Sequence, residues 1–182
     1  MTITNPQHAS IDGIKFIACR EALATHAYID GQHDDGTPKF SIGFGSQTLM
    51  PALGDVISID DAFARLKIDI NERELAVNAS LAVVVSQSSF DALMSLYYQA
   101  GSDALAAVAA MFNNGPPAFA IAEFINWNFG SSRVPTEGHT KRRIREMIMA
   151  LDDHYGDLTR LPFFEGNPRE VPRQWMHFPE GM

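Results

Sequence analysis

One cysteine in 182 residues rules out a disulfide framework within the chain, so the fold must rest on packing. That residue, Cys19, lies in an apolar periodic segment, where it reads as a small buried hydrophobe and not as a nucleophile or ligand. Cations are also scarce: 14 Lys and Arg stand against 22 Asp and Glu, a formal net charge of −8. This balance argues against a duplex nucleic-acid binder, whose affinity rests on cations meeting phosphates, and against electrostatic capture by an anionic surface. Long hydrophobic runs are missing too. No apolar run, Leu81 to Val85 included, approaches the ~20 residues a bilayer crossing needs, so no stable membrane association is expected. The opening MTITNPQHAS has no basic region followed by an apolar run, so no secretory signal is expected. Repeats and low-complexity segments are absent, and the length suits one domain with a substantial core.

What is present is mostly helical periodicity. Ser10 can cap a helix to about Glu21, with Ile14, Ile17, Ala18 and Glu21 at the spacing of one face. A carboxylate at the end of an apolar stripe is out of place there. Burial would disfavour its charged form, the condition a general acid needs, whereas a frayed last-turn Glu would point to water. Short extended pieces follow. Ala27-Tyr28-Ile29 reads as a strand, Asp30-Gly31 as a turn, and Phe40 to Gly45 as a second strand with Phe40, Ile42 and Phe44 on one face. Its other face, Ser41, Gly43 and Gly45, leaves room for close approach to the backbone, or simply marks a glycine-softened edge.

From Ser58 the pattern is helical. Ser58 and Asp61 resemble a capping box before a long helix whose face runs through Phe63, Leu66, Ile70, Val77 and Leu81, with a solvent-bridging stretch expected near Arg73 and Glu74. Ser86 can cap QSSFDALMSLYYQA, apolar on nearly every side and therefore expected as a central buried helix ended by Gly101. Two shorter helices follow, about 102–112 and 117–127. A last one over about 140–155 should face Ile144, Met147, Ile148, Leu151 and Tyr155 to the core and end at Gly156. Its Lys141, Arg142, Arg143 and Arg145 read as a salt-bridged face. Residues 156–182 are too proline-rich for a helix, and their aromatics are expected to dock on the body.

Together these residues carry a resemblance. Glu21-Ala-x-x-x-x-Ala27-Tyr28-x-Asp30 followed by Ser41-Ile-Gly-Phe-Gly45 resembles the phage-type lysozymes, muramidases of glycoside hydrolase family 24, whose pattern is E-G-x-x-L-x-A-Y-x-D and then T-I-G-Y-G-H. Pieces around Ile57, Gln87, Glu123 and Gly138 fall in that family's order, so the likeness runs from about 11 to 151. It implies a mainly α, α+β lysozyme-like fold: residues 1–155 as a catalytic domain, with a β lobe over about 22–57 and a helical lobe over about 58–155 plus the first helix, and 156–182 as an extension packed on it. It also implies a cleft between the two lobes.

The activity implied is cleavage of the β-1,4 bond between N-acetylmuramic acid and N-acetylglucosamine in peptidoglycan. Glu21 matches the family's acid, Asp30 its carboxylate partner, and Ser41 the threonine that helps hold the water. The resemblance suggests inversion, which asks for carboxyl groups roughly 6.5–9.5 Å apart. Tyr28 and Gly43 are assigned to substrate through the same motifs, as is Gln99, which is otherwise a capping residue. His139, at the mouth of the last helix, is a further substrate contact or a solvated side chain. Departures are plain: Ala22 replaces a glycine, Ser46 replaces a histidine, and the Asp30–Ser41 spacing is longer than usual, with His33, Asp34 and Asp35 inside it. Either the hairpin is longer, or a loop carboxylate takes Asp30's part. No metal is expected from those three residues, whose side chains diverge, and no cofactor.

The resulting expectation is a monomeric phage or prophage endolysin acting on peptidoglycan glycan strands. It would be made in the host cytoplasm and reach the periplasm or wall through a holin. The alternatives are a lytic transglycosylase, which needs no second carboxylate, and a wall-binding protein on a decayed lysozyme scaffold.

Overall fold

The computed structural model describes residues 6–33, 35–46, 50–130, 133–168 and 170–180. In chain order they form α1 (Ile11–Glu21), β1 (Leu23–Gln32), β2 (Pro38–Gly43), α2 (Ile59–Ser80), α3 (Gln87–Ala100), α4 (Ser102–Asn114), α5 (Pro117–Glu123), a 3-10 turn (Phe124–Trp127), α6 (Glu137–Asp152), β3 (Arg160–Phe164) and β4 (Gln174–His177). The expected class, mainly α with a small sheet, is what forms. Two compact units result: Met1–Ile17 with Ile70–Asp157, and Ala18–Asp69 with Leu158–Met182.

The first unit is built around α3. Ser86 accepts the Ser89 N–H as N-cap, every residue from Ser88 to Leu96 is buried, and Gly101 ends the helix at φ 82. Asp91, fully buried, takes four hydrogen bonds: from Ser10 N–H (3.0 Å), Ser10 Oγ (2.6 Å), Gln87 Nε2 (3.1 Å) and Tyr155 Oη (2.7 Å). Burial and the Asp91 carboxylate together push the Tyr155 hydroxyl far above its usual range. The stretch near Arg73 and Glu74 is not solvent-bridging: Glu74 is buried and accepts from Ala9 N–H (2.7 Å), with His8 Nδ1 at 2.8 Å.

The last helix corrects the expected register. α6 turns Arg142, Arg143, Glu146, Met149 and Ala150 inward, and leaves Ile144, Ile148 and Leu151 between 38 and 58 % exposed. The cause is an ionic core. Glu146, with no exposure, accepts from Arg142 Nε (3.2 Å), Arg143 Nη2 (2.8 Å) and Ser95 Oγ (2.5 Å), and this buried network takes the inward face in place of the apolar stripe. The basic segment is thus salt-bridged, but inside. The helix stops before Gly156, at Asp153, whose φ of 55 is left-handed, a conformation Asp tolerates better than most residues.

The second unit is a four-stranded sheet, ordered β2-β1-β3-β4, with the start of α2. β1 is longer than the sequence pattern suggested, β2 has the expected length but starts and ends two residues earlier, and Asp30-Gly31 is not a turn but part of β1. The stretch 156–182 supplies half of the strands: β3 pairs in parallel with β1 (Leu23 opposite Phe163, Ala24 opposite Phe164) and antiparallel with β4. Pro162 is tolerated because the pairing with β1 begins only at Phe163. Cys19 is half-buried, with its thiol 3.5 Å from the Arg160 carbonyl, and not the buried hydrophobe expected. Phe44 and Phe63 meet edge to face at 5.0 Å, and Phe178 from the C-terminal stretch joins Phe63 at 6.2 Å.

Candidate active site

Glu21 is the last residue of α1 and is half-buried. One residue then turns the chain from helix into β1: Ala22, at φ 61, donates its N–H to the Ala18 carbonyl (2.9 Å). A left-handed residue with a Cβ is strained by ~1–2 kcal/mol, which is why glycine suits a helix C-terminus of this kind. Ala22→Gly is therefore expected to raise stability by about 1 kcal/mol with activity kept, measured by urea unfolding and peptidoglycan clearance.

β1 departs twice from regular pairing with β2. Between Ala24 and Tyr28 the chain leaves the ladder, because Thr25 and Ala27 bond the 55–57 segment instead (Ile57 N–H to Thr25 O and Ala27 N–H to Asp55 O, both 2.9 Å). Between Ile29 and Gly31 one residue is extra, and that residue is Asp30. A bulge re-aims a side chain. The exposed Asp30 accepts the Ser41 hydroxyl at Oδ2 (3.0 Å) from across the hairpin, while Tyr28 stands opposite Ser41. Ser41 is fully buried, so its observed contact holds the carboxylate.

The long spacing between Asp30 and Ser41 is taken up by hairpin length. His33 N–H bonds Thr37 O and Gly36 N–H bonds His33 O, both at 2.9 Å. Asp35 is occupied locally: it accepts from Thr37 Oγ1 (2.6 Å) and Thr37 N–H (2.9 Å), which hold its carboxyl below the usual range. Asp34 lies outside the described residues. Among the described residues no group of three or more His, Cys, Asp or Glu could hold a metal ion, and no helix is long and apolar enough to cross a membrane.

β2 ends in a tight turn. Gly43 (φ 66) and Gly45 (φ 81) are both left-handed, Ile42 and Ser46 exchange backbone hydrogen bonds (3.3 and 3.0 Å), and Phe44 is buried between them. A Cβ placed on Gly45 would lie 3.9 Å from Glu21 Oε2, so the acid lies beside this turn. The space beside Gly43 is filled by the protein itself, since a Cβ there would meet Ala62 Cβ at 3.6 Å and Ile57 Cδ1 at 3.9 Å.

Glu21, Tyr28, Asp30, Ser41 and Gly43 thus share the second unit, while Gln99 and His139 belong to the first. Gln99 ends α3 half-buried, and its buried Oε1 has no hydrogen-bond partner among the described residues. His139 sits in the first turn of α6, with Nδ1 2.9 Å from Thr136 Oγ1 and its ring against Gly130. The sequence reading missed Arg65, which contacts Ser46, and Asp69, which pairs with Arg65; their i,i+4 spacing on α2 was the available clue.

The chain is similar to known proteins. An endolysin of Acyrthosiphon pisum secondary endosymbiont phage 1 is 31 % identical over 147 residues, covering 78 % of this chain and 97 % of its own. An endolysin of Bacillus phage PZA is 29 % identical over 163 residues, 88 % of this chain but only 57 % of its own, so the chain spans little more than half of that relative. The solved endolysin from Escherichia coli O157:H7 phage FAHEc1 superposes with a TM-score of 0.72 at 26 % identity, over 84 % of this chain and 99 % of that one. The phage lysozyme family model matches residues 19–146, which takes in Glu21, Asp30 and Ser41, and the chain belongs to that family.

Proposed function

We propose that this protein is a peptidoglycan muramidase of the endolysin kind, hydrolysing the β-1,4 bond between N-acetylmuramic acid and N-acetylglucosamine. The observation that carries the proposal is the pairing within one unit of two differently placed carboxylates: Glu21, half-buried beside the Gly45 turn, and Asp30, exposed on a bulge and pinned by Ser41. Glycoside hydrolysis needs two carboxyl groups in different environments. Glu21 gives its proton to the leaving oxygen as the C1–O bond breaks. Asp30 takes a proton from the water that adds to C1 from the opposite face, which inverts the anomeric centre. Ser41 keeps the Asp30 carboxylate aimed. Tyr28 on the same hairpin is a substrate contact and His139 a further one, whereas Gly43, backed by Ala62 and Ile57, serves the turn instead. Gln99 is proposed as a substrate contact through the family motif it matches. Release through a holin follows from the endolysin reading.

Digestion of purified peptidoglycan is expected to yield reducing ends, with the newly formed anomer inverted by NMR. Termini in the 1,6-anhydro form would make the protein a lytic transglycosylase. Binding without release of fragments would make it a wall-binding scaffold. Asp30→Asn is expected to lower kcat by about 10²-fold or more with KM little changed, read by turbidity loss.

A further inference from the structure

The turn at 43–46 is composed of residues that confer little rigidity of their own. Two of its four positions are glycines in left-handed conformations, which the unconstrained chain adopts at a high entropic cost. Yet the Glu21 carboxylate lies beside this turn, at Gly45. Something must hold the turn to a small tolerance, because a displacement of ~1 Å at a reacting group is enough to cost a factor of about 10² in rate.

Phe44 anchors one side by packing on Phe63. The other side ends in Ser46, which is buried and whose short side chain reaches no further than its own hydroxyl. Arg65 comes to it from α2. Its Nε–H donates to Ser46 Oγ at 3.3 Å, and its Nη2 meets Asp69 Oδ1 at 3.0 Å. Both side chains of the ion pair are largely shielded, 18 % and 6 % exposed, so this is not a solvated surface pair of small worth. The planar fork lets one guanidinium hold both partners at fixed angles, which an ammonium cannot do. Ser46 stands where the family's T-I-G-Y-G-H pattern has histidine, and here its hydroxyl is met by Arg65 from α2.

We infer that Arg65, oriented by Asp69, is a positioning residue for the catalytic acid: through Ser46 it fixes the Gly45 turn beside which Glu21 lies. This rests on the reading of Glu21 as the acid given above. Arg65 touches no substrate and transfers no proton. Its effect belongs in kcat and in the pH dependence of kcat, and not in KM.

The test uses the full chain with purified peptidoglycan as substrate. Arg65→Met, Arg65→Lys, Ser46→Ala and Glu21→Gln are compared for kcat, KM, the kcat–pH profile and melting temperature. Arg65→Met and Ser46→Ala are expected to lower kcat about tenfold or more, with KM within about twofold and a displaced limb in the kcat–pH profile. Arg65→Lys keeps a charge beside Asp69, so its melting temperature stays closer to wild type while kcat falls as in Arg65→Met. Wild-type kcat and pH profile in Ser46→Ala, with Glu21→Gln inactive, overturn the inference alone. So does a loss in every Arg65 variant that merely tracks the fraction of folded protein. An active Glu21→Gln overturns the reading of the acid and the inference with it. If Arg65→Met does not fold, Ser46→Ala, which removes one hydroxyl, decides by itself.

Discussion

Glu21→Gln is expected to lower release of glycan fragments by about 10³-fold or more while leaving peptidoglycan binding and melting temperature close to wild type. Gln fills the same volume and keeps a carbonyl oxygen, but it has no acidic proton to give to the departing sugar oxygen. The site provides no obvious substitute within the same unit: Asp30 is exposed and engaged by Ser41, and Asp35 is bound up in its own turn with Thr37. The position argues the same way. Glu21 closes α1 after an apolar stripe of which Ile17 and Ala18 have no exposure, so its carboxyl is placed by a rigid helix and lies beside the Gly45 turn. A variant that cleared purified peptidoglycan at the wild-type rate would remove Glu21 from the mechanism. A variant that lost activity together with its cooperative melt would show a structural role instead.

Gly13→Ala is expected to destabilise the protein by about 3 kcal/mol, lowering the melting temperature by roughly 6–12 °C. The sign is the informative part, because replacing a helical glycine by alanine ordinarily stabilises by ~0.5–1 kcal/mol. Here the added methyl would lie 2.4 Å from Asp91 Cγ, 2.6 Å from Oδ1 and 2.8 Å from Oδ2. Asp91 is held in place by Ser10, Gln87 and Tyr155 and cannot retreat without leaving several buried groups unpaired. A double-mutant cycle with Asp91→Ser separates the collision from the lost hydrogen bonds: Gly13→Ala should cost far less once the carboxylate has been shortened. Equal costs in both backgrounds, by thermal unfolding, would show that the methyl does not meet Asp91.

Much of this molecule could be read from residue order. The burial of α3 on all sides follows from Phe90, Leu93, Met94 and Leu96, which leave no polar face, and Ser86 and Gly101 mark its ends by local chemistry. The hairpin that brings Asp30 to Ser41 could be suspected because Glu21, Asp30 and Ser41 lie within 21 positions of one another, so their motif survives in a short stretch of chain. Local patterns fail where long-range partners decide. In α6, hydropathy alone puts Ile144 and Ile148 inside, but the buried Glu146, with a partner 51 positions away in Ser95, draws Arg142 and Arg143 inward and rotates the helix.

The sheet carries the same lesson. Nothing in the proline-rich stretch 156–182 announces a strand that pairs in parallel with β1, since such a pairing joins residues some 139 positions apart and depends on edges that exist only once the chain has folded. The bulge at Asp30 is likewise a property of two strands together: it arises because β1 carries one more residue than β2 can match between Ile29 and Gly31. Residue types and their local spacing were therefore enough to indicate the class of fold, the two carboxylates and the chemistry they resemble. The Ser41 bond to Asp30, the place of Glu21 beside a glycine turn and the Arg65 bond to Ser46 were decided by tertiary contacts, because each depends on a partner that sequence spacing does not place.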